Sequence, residues 1–289
     1  MNVLFTGANG QLGNELRLLF SNGADNCLFT DISAQEGVQT EILDIADAEA
    51  VRRTVEKHKT DLIINCAAYN NVDKAEEDEQ AAMLLNAQAP GILAREAARA
   101  GASLIHVSTD YVFPGTANRP IDESAEPAPV SVYGRSKLAG EDAVRSSGCR
   151  YVILRTAWLY SPFGKNFVKT IRSLAATRSS LNVVFDQVGS PTSAYDLARA
   201  IQAVAKSKNG WNATYHYSGE GAVSWFDFAS AIVELSGLDC RVNACLSSEF
   251  PAKAQRPAYS VLDKSLIKQT FGLEVPWWRT SLEKCIVRL

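Results

Sequence analysis

Residues 6–13 read TGANGQLG and stand between an apolar run, NVLFT, and a helix-like stretch, QLGNELRLLF. The spacing G-x-x-G-x-x-G places Gly7, Gly10 and Gly13 where a strand would give way to a helix. Glycines at such a turn let the backbone bend tightly and approach a pyrophosphate, while the helix N-terminus offers unpaired N–H groups. This stretch therefore predicts a strand, a dinucleotide-binding turn and a helix.

An acidic residue at the end of the next apolar run supports this interpretation. That run, NCLFTD, ends at Asp31, about 20 residues beyond the glycines, where a carboxylate binds the adenosine ribose 2′-hydroxyl. The same carboxylate would repel a 2′-phosphate, so Asp31 favours NAD over NADP. No arginine stands immediately beside Asp31 in the chain, although a distant one could reverse the preference. The alternative is a glycine-rich strand–helix turn followed by an ordinary strand-end aspartate.

Apolar runs of strand length alternate with helical patterns along the chain, and the runs are continuously apolar. This pattern is typical of a parallel sheet covered by helices on both faces. We predict an α/β fold with a Rossmann-type doubly wound parallel sheet and a smaller, interleaved C-terminal substrate lobe. Residues 1–160 would form the dinucleotide-binding domain, with parts of 181–218 returning to the sheet, and residues 161–289 the substrate lobe. Pro90 should kink or break a long helix that runs from Lys74 to Ala100.

Composition excludes several classes of function. The chain has 289 residues, 46% of them hydrophobic, and a net charge of −3 with dispersed basic residues. We therefore expect no binding of nucleic acid or of anionic membranes. No apolar run approaches the ~20 residues needed to cross a bilayer, and the N-terminal residues enter the first strand at once, so we expect a cytoplasmic protein.

A tyrosine and a lysine stand four residues apart in the helix-like stretch VYGRSKLAGE. That spacing puts Tyr133 and Lys137 on one helix face. Taken alone, the pair could be two ordinary surface residues. Its meaning depends on the motifs around it.

Those motifs, in their order along the chain, resemble the dTDP-4-dehydrorhamnose reductases, a family of extended short-chain dehydrogenase/reductases. The matching stretches include TGANGQLG, DIAD, NCAAYNNVDKAE, STDYVFPG, VYGRSKLAGE, RTAWLY, DQVGSPT and RPAYSVLD. The resemblance implies a catalytic set of Thr109, Tyr133 and Lys137. It also implies NADH or NADPH as coenzyme and a nucleotide sugar as substrate, with the C4 ketone of dTDP-4-dehydro-6-deoxy-L-mannose reduced to dTDP-L-rhamnose.

The chemistry of these residues agrees with that role. Reduction of a ketone requires a hydride and an acid that protonates the developing alkoxide. Tyr133 could be the acid, but an ordinary phenol has a pKa of ~10. We expect Lys137 to lower this pKa and to hydrogen-bond the nicotinamide ribose. Thr109 would hold the carbonyl oxygen against Tyr133.

The resemblance also implies the ligand contacts. At the coenzyme, it implies Gly7, Gly10, Gln11, Leu12 and Gly13 near the pyrophosphate, Asp31 at the adenosine ribose, Asp44 and Ile45 at the adenine, and Ala67, Ala68 and Tyr69 after the fourth strand. At the substrate, it implies Thr109, Asp110, Tyr133, Trp158, Asn166 and Arg256. Simple packing is the alternative for the small residues, and a core position is the alternative for Trp158.

The stretch STDYVFPG distinguishes among related enzymes. Dehydratases of similar families place an aspartate–glutamate pair after the threonine, whereas here Asp110 precedes Tyr111. The dehydration pair is incomplete, which favours a reductase. Two alternatives stay open: another nucleotide-sugar reductase or epimerase of the superfamily, and a non-catalytic, cofactor-sensing binding subunit.

One departure from the family concerns metal. Some members dimerise around Mg²⁺ through carboxylates, and Glu15 matches one of these. The position of another, in SAYDLA, holds Tyr195. We predict no metal, and a monomer or a homodimer.

Overall fold

The computed structural model describes residues 1–21, 23–250 and 252–289. The strands within these ranges are β1 (Asn2–Thr6), β2 (Asn26–Asp31), β3 (Glu41–Ile42), β4 (Leu62–Asn65), β5 (Ser103–Thr109), β6 (Arg150–Thr156), β7 (Leu159–Tyr160), β8 (Ser180–Val184), β9 (Val188–Gly189), β10 (Thr192–Ser193), β11 (Ala213–His216), β12 (Val223–Ser224) and β13 (Arg241–Cys245). The helices are α1 (Gln11–Phe20), α2 (Ala48–His58), α3 (Val72–Ala75), α4 (Glu79–Met83), α5 (Ala89–Ala100), α6 (Val132–Arg145), α7 (Phe167–Ala175), α8 (Ala194–Lys206), α9 (Trp225–Leu235), α10 (Ser265–Phe271) and α11 (Trp278–Val287). A π-helical turn spans Leu84–Gln88, and short 3-10 turns span Asp110–Val112 and Ser247–Glu249.

Seven parallel strands form the central sheet in the order β11-β6-β5-β4-β1-β2-β3. The chain moves outward from β1 to β3 and then returns to place β4 on the other side of β1. Ligands of such sheets bind at the carboxyl ends of the strands, where this reversal opens a crevice. The strand order confirms the predicted Rossmann-type fold.

Helices cover both faces of the sheet. On one face, Leu16 of α1 and Ile201 of α8 pack against Phe5 of β1 in one buried cluster. On the other face, Val51 of α2 and Leu93 of α5 belong to a second cluster. Both faces bury apolar side chains, which is why the strands are continuously apolar. None of the helices in the described part of the chain is long and apolar enough to cross a membrane.

The C-terminal part has a core of its own around α7, α9 and α11. Tyr160, Val168, Phe228 and Leu282 belong to this third buried cluster. Strand β8 pairs with β13 in a separate two-stranded sheet, whereas β11 pairs with β6 in the central sheet. The chain therefore leaves the central sheet and rejoins it before the C-terminal helices. The division into two domains at residue 160 stays a prediction.

The helical stretch from Lys74 to Ala100 is interrupted at more places than at Pro90, where we expected a kink or a break. Asp78 caps α4 by accepting a hydrogen bond from the amide of Ala81, and such a cap starts a new helix after α3. A π-helical turn then precedes α5, and Pro90 lies in the first turn of α5. The irregularity expected at Pro90 is present. The π-helical turn runs directly into α5, so the missing N–H of Pro90 lies where π-helical hydrogen bonding changes to α-helical hydrogen bonding.

Helix α6 packs closely on this π-helical turn. A Cβ at Gly140 would overlap the carbonyl oxygen of Asn86. The side chain of Asn86 donates to Ser136 Oγ of α6 at 3.0 Å and to the carbonyl of Tyr69 at 3.0 Å. These contacts set the position of the helix that carries Tyr133 and Lys137.

Gly140→Ala should therefore destabilise the protein by about 1–3 kcal/mol, the usual cost of overpacking a buried contact. The added methyl group would push α6 away from the Asn86 backbone. Urea denaturation compares this variant with Arg135→Ala, a change at an exposed position of the same helix. Equal stabilities of the two variants would contradict the close contact.

Candidate active site

A cavity of about 740 Å³ opens at the carboxyl ends of the central strands. It is lined by thirteen of the predicted site residues: Gly7, Gly10, Gln11, Leu12, Gly13, Ala68, Thr109, Asp110, Tyr133, Lys137, Trp158, Asn166 and Arg256. Five predicted residues lie outside this lining: Asp31, Asp44, Ile45, Ala67 and Tyr69. The fold thus brings the glycine turn, the expected catalytic set and the expected substrate contacts to one cavity.

The glycine turn forms a tight cradle. Gly7 has a φ of +66°, and a Cβ there would lie 2.6 Å from the amide nitrogen of Ala67. A Cβ at Gly13 would overlap the Gly7 carbonyl. None of the described side chains caps α1, so its first-turn N–H groups keep their capacity to bind an anion. These features fit a coenzyme pyrophosphate.

The adenosine end lies beyond the cavity. Asp31 ends β2, and its carboxylate accepts hydrogen bonds from the amides of Asn9 at 3.0 Å and Ile32 at 2.8 Å. Asp44 is exposed, whereas the side chain of Ile45 is buried in the core beneath the sheet. The proposed adenine contacts of Asp44 and Ile45 stay predictions.

Thr109 is the last residue of β5. Its Oγ1 donates to Asp110 Oδ1 at 3.0 Å and accepts from the Tyr111 amide at 3.2 Å. The Thr109 hydroxyl is therefore oriented from two sides at the floor of the cavity.

Tyr133 and Lys137 lie in the first turns of α6. The helix begins after Ser131, whose hydroxyl accepts from the Gly134 amide at 3.1 Å. The ring of Tyr133 packs edge-on against Tyr111 with centroids 5.6 Å apart. Lys137 is almost completely buried, and its Nζ donates to the Val107 carbonyl at 2.7 Å.

Burial governs the protonation of this pair. It raises the pKa of Tyr133 to about 12, with an opposing hydrogen-bond contribution from Thr109. It lowers the pKa of Lys137 to about 8, opposed by the nearby carboxylate of Glu141. We expected Lys137 to lower the pKa of Tyr133, but the pKa is raised, because burial of the phenol is the largest influence on it and the Asp110 carboxylate adds to the effect. The phenol is therefore protonated at neutral pH and can serve as an acid.

A buried ionic network beneath the cavity includes Glu141, which the sequence reasoning missed. Oε1 of Glu141 accepts from Ser108 Oγ at 2.6 Å and from Arg155 Nε at 2.9 Å. Oε2 accepts from Arg155 Nη2 at 2.7 Å and from Arg145 Nη2 at 2.6 Å. The network joins α6 to the ends of β5 and β6. The sequence does contain a signal for this residue, because Glu141 follows Lys137 by one helical turn in VYGRSKLAGE.

Two stacked tryptophans, Trp158 and Trp225, line the cavity. Trp158 has a φ of +48°, and its indole stacks on that of Trp225 with centroids 3.5 Å apart and planes 7° apart. A Cβ at Gly189 would lie 2.6 Å from Cε2 of Trp158, which explains the glycine of DQVGSPT. One face of Trp158 is thus covered by Trp225, which also lines the cavity.

Two expected substrate contacts already have protein partners. The side-chain amide of Asn166 donates to Gln11 Oε1 at 2.9 Å and ties the start of α7 to the glycine turn. Arg256 forms an ion pair with Asp73 at 3.0 Å. Asn166 therefore joins the two parts of the cavity wall, and the charge of Arg256 is partly balanced.

Magnesium does not fit at Glu15. Its buried carboxylate is bound through both oxygens by the Arg288 guanidinium, at 2.8 and 3.1 Å. Tyr195 lies beside the same guanidinium, with its ring centroid 5.9 Å away. In the described ranges, no three acidic, histidine or cysteine side chains form a group that could hold a metal ion. Arg288 occupies the position of a counter-cation for Glu15.

A family model described as the RmlD substrate binding domain matches residues 1–289. The chain belongs to this family. It is 37% identical to a dTDP-4-dehydrorhamnose reductase of Sinorhizobium fredii over 99% of this chain and 97% of that protein. The resemblance predicted from the motifs is confirmed.

Two solved structures of dTDP-4-dehydrorhamnose reductases match over nearly their whole length. A crystal structure of a dTDP-4-dehydrorhamnose reductase from Clostridium acetobutylicum has a TM-score of 0.92 at 42% identity, covering 100% of this chain and 99% of that one. The enzyme from Bacillus anthracis, in complex with NADP, has a TM-score of 0.88 at 36% identity and covers 99% of each chain.

The buried carboxyl of Asp110 makes the stability of the protein depend on pH. Burial raises its pKa to about 6, so the folded state favours the protonated carboxyl. Its contribution to stability is largest at low pH and is lost as the pH rises through about 6. Asp110→Asn should therefore gain about 1–3 kcal/mol over the original protein at pH 8 but little at pH 4.

Urea denaturation at both pH values measures this difference, with the exposed Asp239→Asn as control. A stability gain that is the same at pH 4 and pH 8 would show that Asp110 does not titrate between them.

Proposed function

We propose that this protein reduces the C4 ketone of dTDP-4-dehydro-6-deoxy-L-mannose to dTDP-L-rhamnose with NADH or NADPH. The observation that carries the proposal is the convergence of Thr109, Tyr133 and Lys137 on one cavity that also contains the glycine turn. Relatives matched over the full chain are named dTDP-4-dehydrorhamnose reductases, and one was solved with NADP. Asp31 favours NADH because its carboxylate repels a 2′-phosphate.

The reaction adds a hydride to the carbonyl carbon and a proton to the carbonyl oxygen. The bound coenzyme supplies the hydride. Tyr133 supplies the proton, since its raised pKa keeps it protonated at neutral pH. The hydroxyl of Thr109 turns from Asp110 towards the substrate oxygen and holds it against the phenol.

Lys137 stabilises the phenolate that this transfer leaves behind. Its ammonium is held by the Val107 carbonyl, and two of its three N–H donors stay available for the ribose hydroxyls. The Glu141 network keeps α6 in register with β5. Tyr133 therefore faces Thr109 without a costly rearrangement during the reaction.

We also propose which part of the chain binds which ligand. Residues 1–160, with β11, would hold the coenzyme, and residues 161–289 would hold the nucleotide sugar together with Asp110 and Trp158 from the first part. The deoxysugar would lie near the indoles of Trp158 and Trp225. Arg256 and Asp110 would contact its polar groups, and the half of the cavity around Lys165 would receive the diphosphate, since Lys165 and Arg256 add positive charge there.

The test is turnover of purified protein with that ketosugar and each coenzyme, followed by coenzyme absorbance. We expect oxidation of NADH or NADPH only when the ketosugar is present. No oxidation of either coenzyme would refute the proposal. An epimerase would instead purify with tightly held NAD and need no reductant, and a binding subunit would bind coenzyme without turnover.

Tyr133→Phe should lower turnover on the order of 10²-fold or more, because it removes the acid and keeps the ring. Coenzyme binding, measured by fluorescence titration, should persist. Tyr151→Phe, at a position outside the cavity lining, is the matched control. Unchanged turnover of Tyr133→Phe would remove Tyr133 from the mechanism.

We propose a monomer or a homodimer without bound metal, acting in the cytoplasm, where nucleotide sugars and nicotinamide coenzymes are made. Pairing of Glu15 with Arg288 supports the absence of metal. A chelator should then change neither the turnover rate nor the elution volume in size-exclusion chromatography. A change in either would indicate a metal with a role in activity or assembly.

A further inference from the structure

We propose that Arg17 binds the 2′-phosphate of NADPH, so that Arg17 and Asp31 together set the coenzyme preference. This inference deepens the proposed function, because it rests on a nicotinamide coenzyme bound at the glycine turn. Arg17 lies on α1 and Asp31 ends β2, so their separation in the sequence gives no sign that they act on the same ribose.

The position of Arg17 follows from its contact with β2. Its guanidinium carbon lies 4.2 Å from the ring centroid of Phe29. Phe29 and Asp31 are two residues apart in one strand and therefore project from the same face of the sheet. The cation thus lies on the side of β2 from which Asp31 projects, near the carboxyl end, where this fold holds the adenosine ribose.

Hydrogen bonds connect the two charged groups around this end of the strand. Arg17 donates to the Gln39 carbonyl at 2.6 Å and to Thr40 Oγ1 at 3.1 Å. Thr40 Oγ1 donates to Asn9 Oδ1 at 2.8 Å, and the backbone N–H of Asn9 donates to Asp31 Oδ2 at 3.0 Å. This chain of contacts holds the guanidinium beside the ribose position before any ligand binds.

Arg17 lies within electrostatic reach of Asp31 but does not form an ion pair with it. Partial burial lowers the pKa of Arg17, and the Asp31 carboxylate opposes that effect. Arginine nevertheless stays charged in proteins. The two Nη atoms carry four N–H donors, of which the bonds to Gln39 and Thr40 use two, so two stay available for a phosphate. Asp31 can still bind the 2′-hydroxyl of NADH.

Coenzyme binding to Arg17→Gln tests the assignment without any ketosugar. Glutamine keeps a polar side chain and removes the charge. We expect the dissociation constant for NADPH to rise on the order of 10-fold more than that for NADH, as for loss of a charge-assisted contact. Arg17→Lys, which keeps the charge but not the planar fork, should lose less NADPH affinity than Arg17→Gln.

The exposed Arg53→Gln on α2 is the matched control and should leave both affinities unchanged. If Arg17→Gln weakens the binding of NADPH and NADH equally, the proposal is overturned. Such a result would indicate that Arg17 only holds residues 39–40 in place through its hydrogen bonds. An unchanged affinity for NADPH would also overturn the proposal.

A measurement on the original protein keeps the proposal testable if the variants fold poorly. Adenosine 2′,5′-bisphosphate should bind at least as tightly as adenosine 5′-monophosphate. Binding of the monophosphate alone would contradict a 2′-phosphate site. If Arg17→Gln weakens NADPH binding selectively but the protein does not turn over the ketosugar, only the proposed substrate is contradicted. If the protein turns over the ketosugar but Arg17→Gln does not weaken NADPH binding selectively, only the role of Arg17 is contradicted.

Discussion

The buried carboxylate of Glu141 is the constraint on which the site depends. It lies beneath the cavity with no exposure to solvent, and it receives hydrogen bonds from Ser108, Arg145 and Arg155. Removing one partner from a buried ionic group leaves a charge without compensation, at a cost of about 3–5 kcal/mol. Helix α6 and strands β5 and β6 must therefore keep one register, and this register brings Tyr133 and Lys137 to the end of β5.

Burial also sets the protonation of Tyr133 and Lys137. A phenol away from water holds its proton more tightly, and an ammonium away from water releases its proton more readily. Tyr133 and Lys137 show both effects. A reductase needs a proton that is present until the hydride arrives, so the raised pKa of Tyr133 suits the proposed acid. Once Tyr133 has given up its proton, the ammonium of Lys137 stabilises the phenolate that remains.

Two arginines illustrate how ion pairing decides whether a carboxylate is available to a ligand. Arg288 binds Glu15 through both oxygens, which removes that carboxylate from metal binding. Arg17 stands beside Asp31 without forming an ion pair with it, and both groups keep hydrogen-bonding capacity towards a ribose or its phosphate. The first arrangement is structural, and the second is suited to choosing between coenzymes.

Short-range patterns in the sequence were sufficient to predict the fold and thirteen of the residues that line the cavity. The glycines of residues 6–13 and the apolar run of each strand act within a few residues, because turns and strands form from local backbone preferences. The spacing of Tyr133 and Lys137 likewise gives one helix face in any context. In the helical stretch after Lys74, a break was expected only at Pro90, and the new start at Asp78 was missed because a side-chain cap interrupts a helix without changing the helical periodicity.

The remaining features needed the tertiary structure. Trp225 covers Trp158, Asn166 binds Gln11, and Arg17 approaches Asp31, although the members of each pair lie on separate elements of the chain. Their meetings depend on how helices and strands pack, and local periodicity carries no information about that packing. The pKa of Tyr133 moved opposite to expectation for the same reason. Its sign is decided by how completely neighbouring elements exclude water, and the six residues VYGRSK do not specify that.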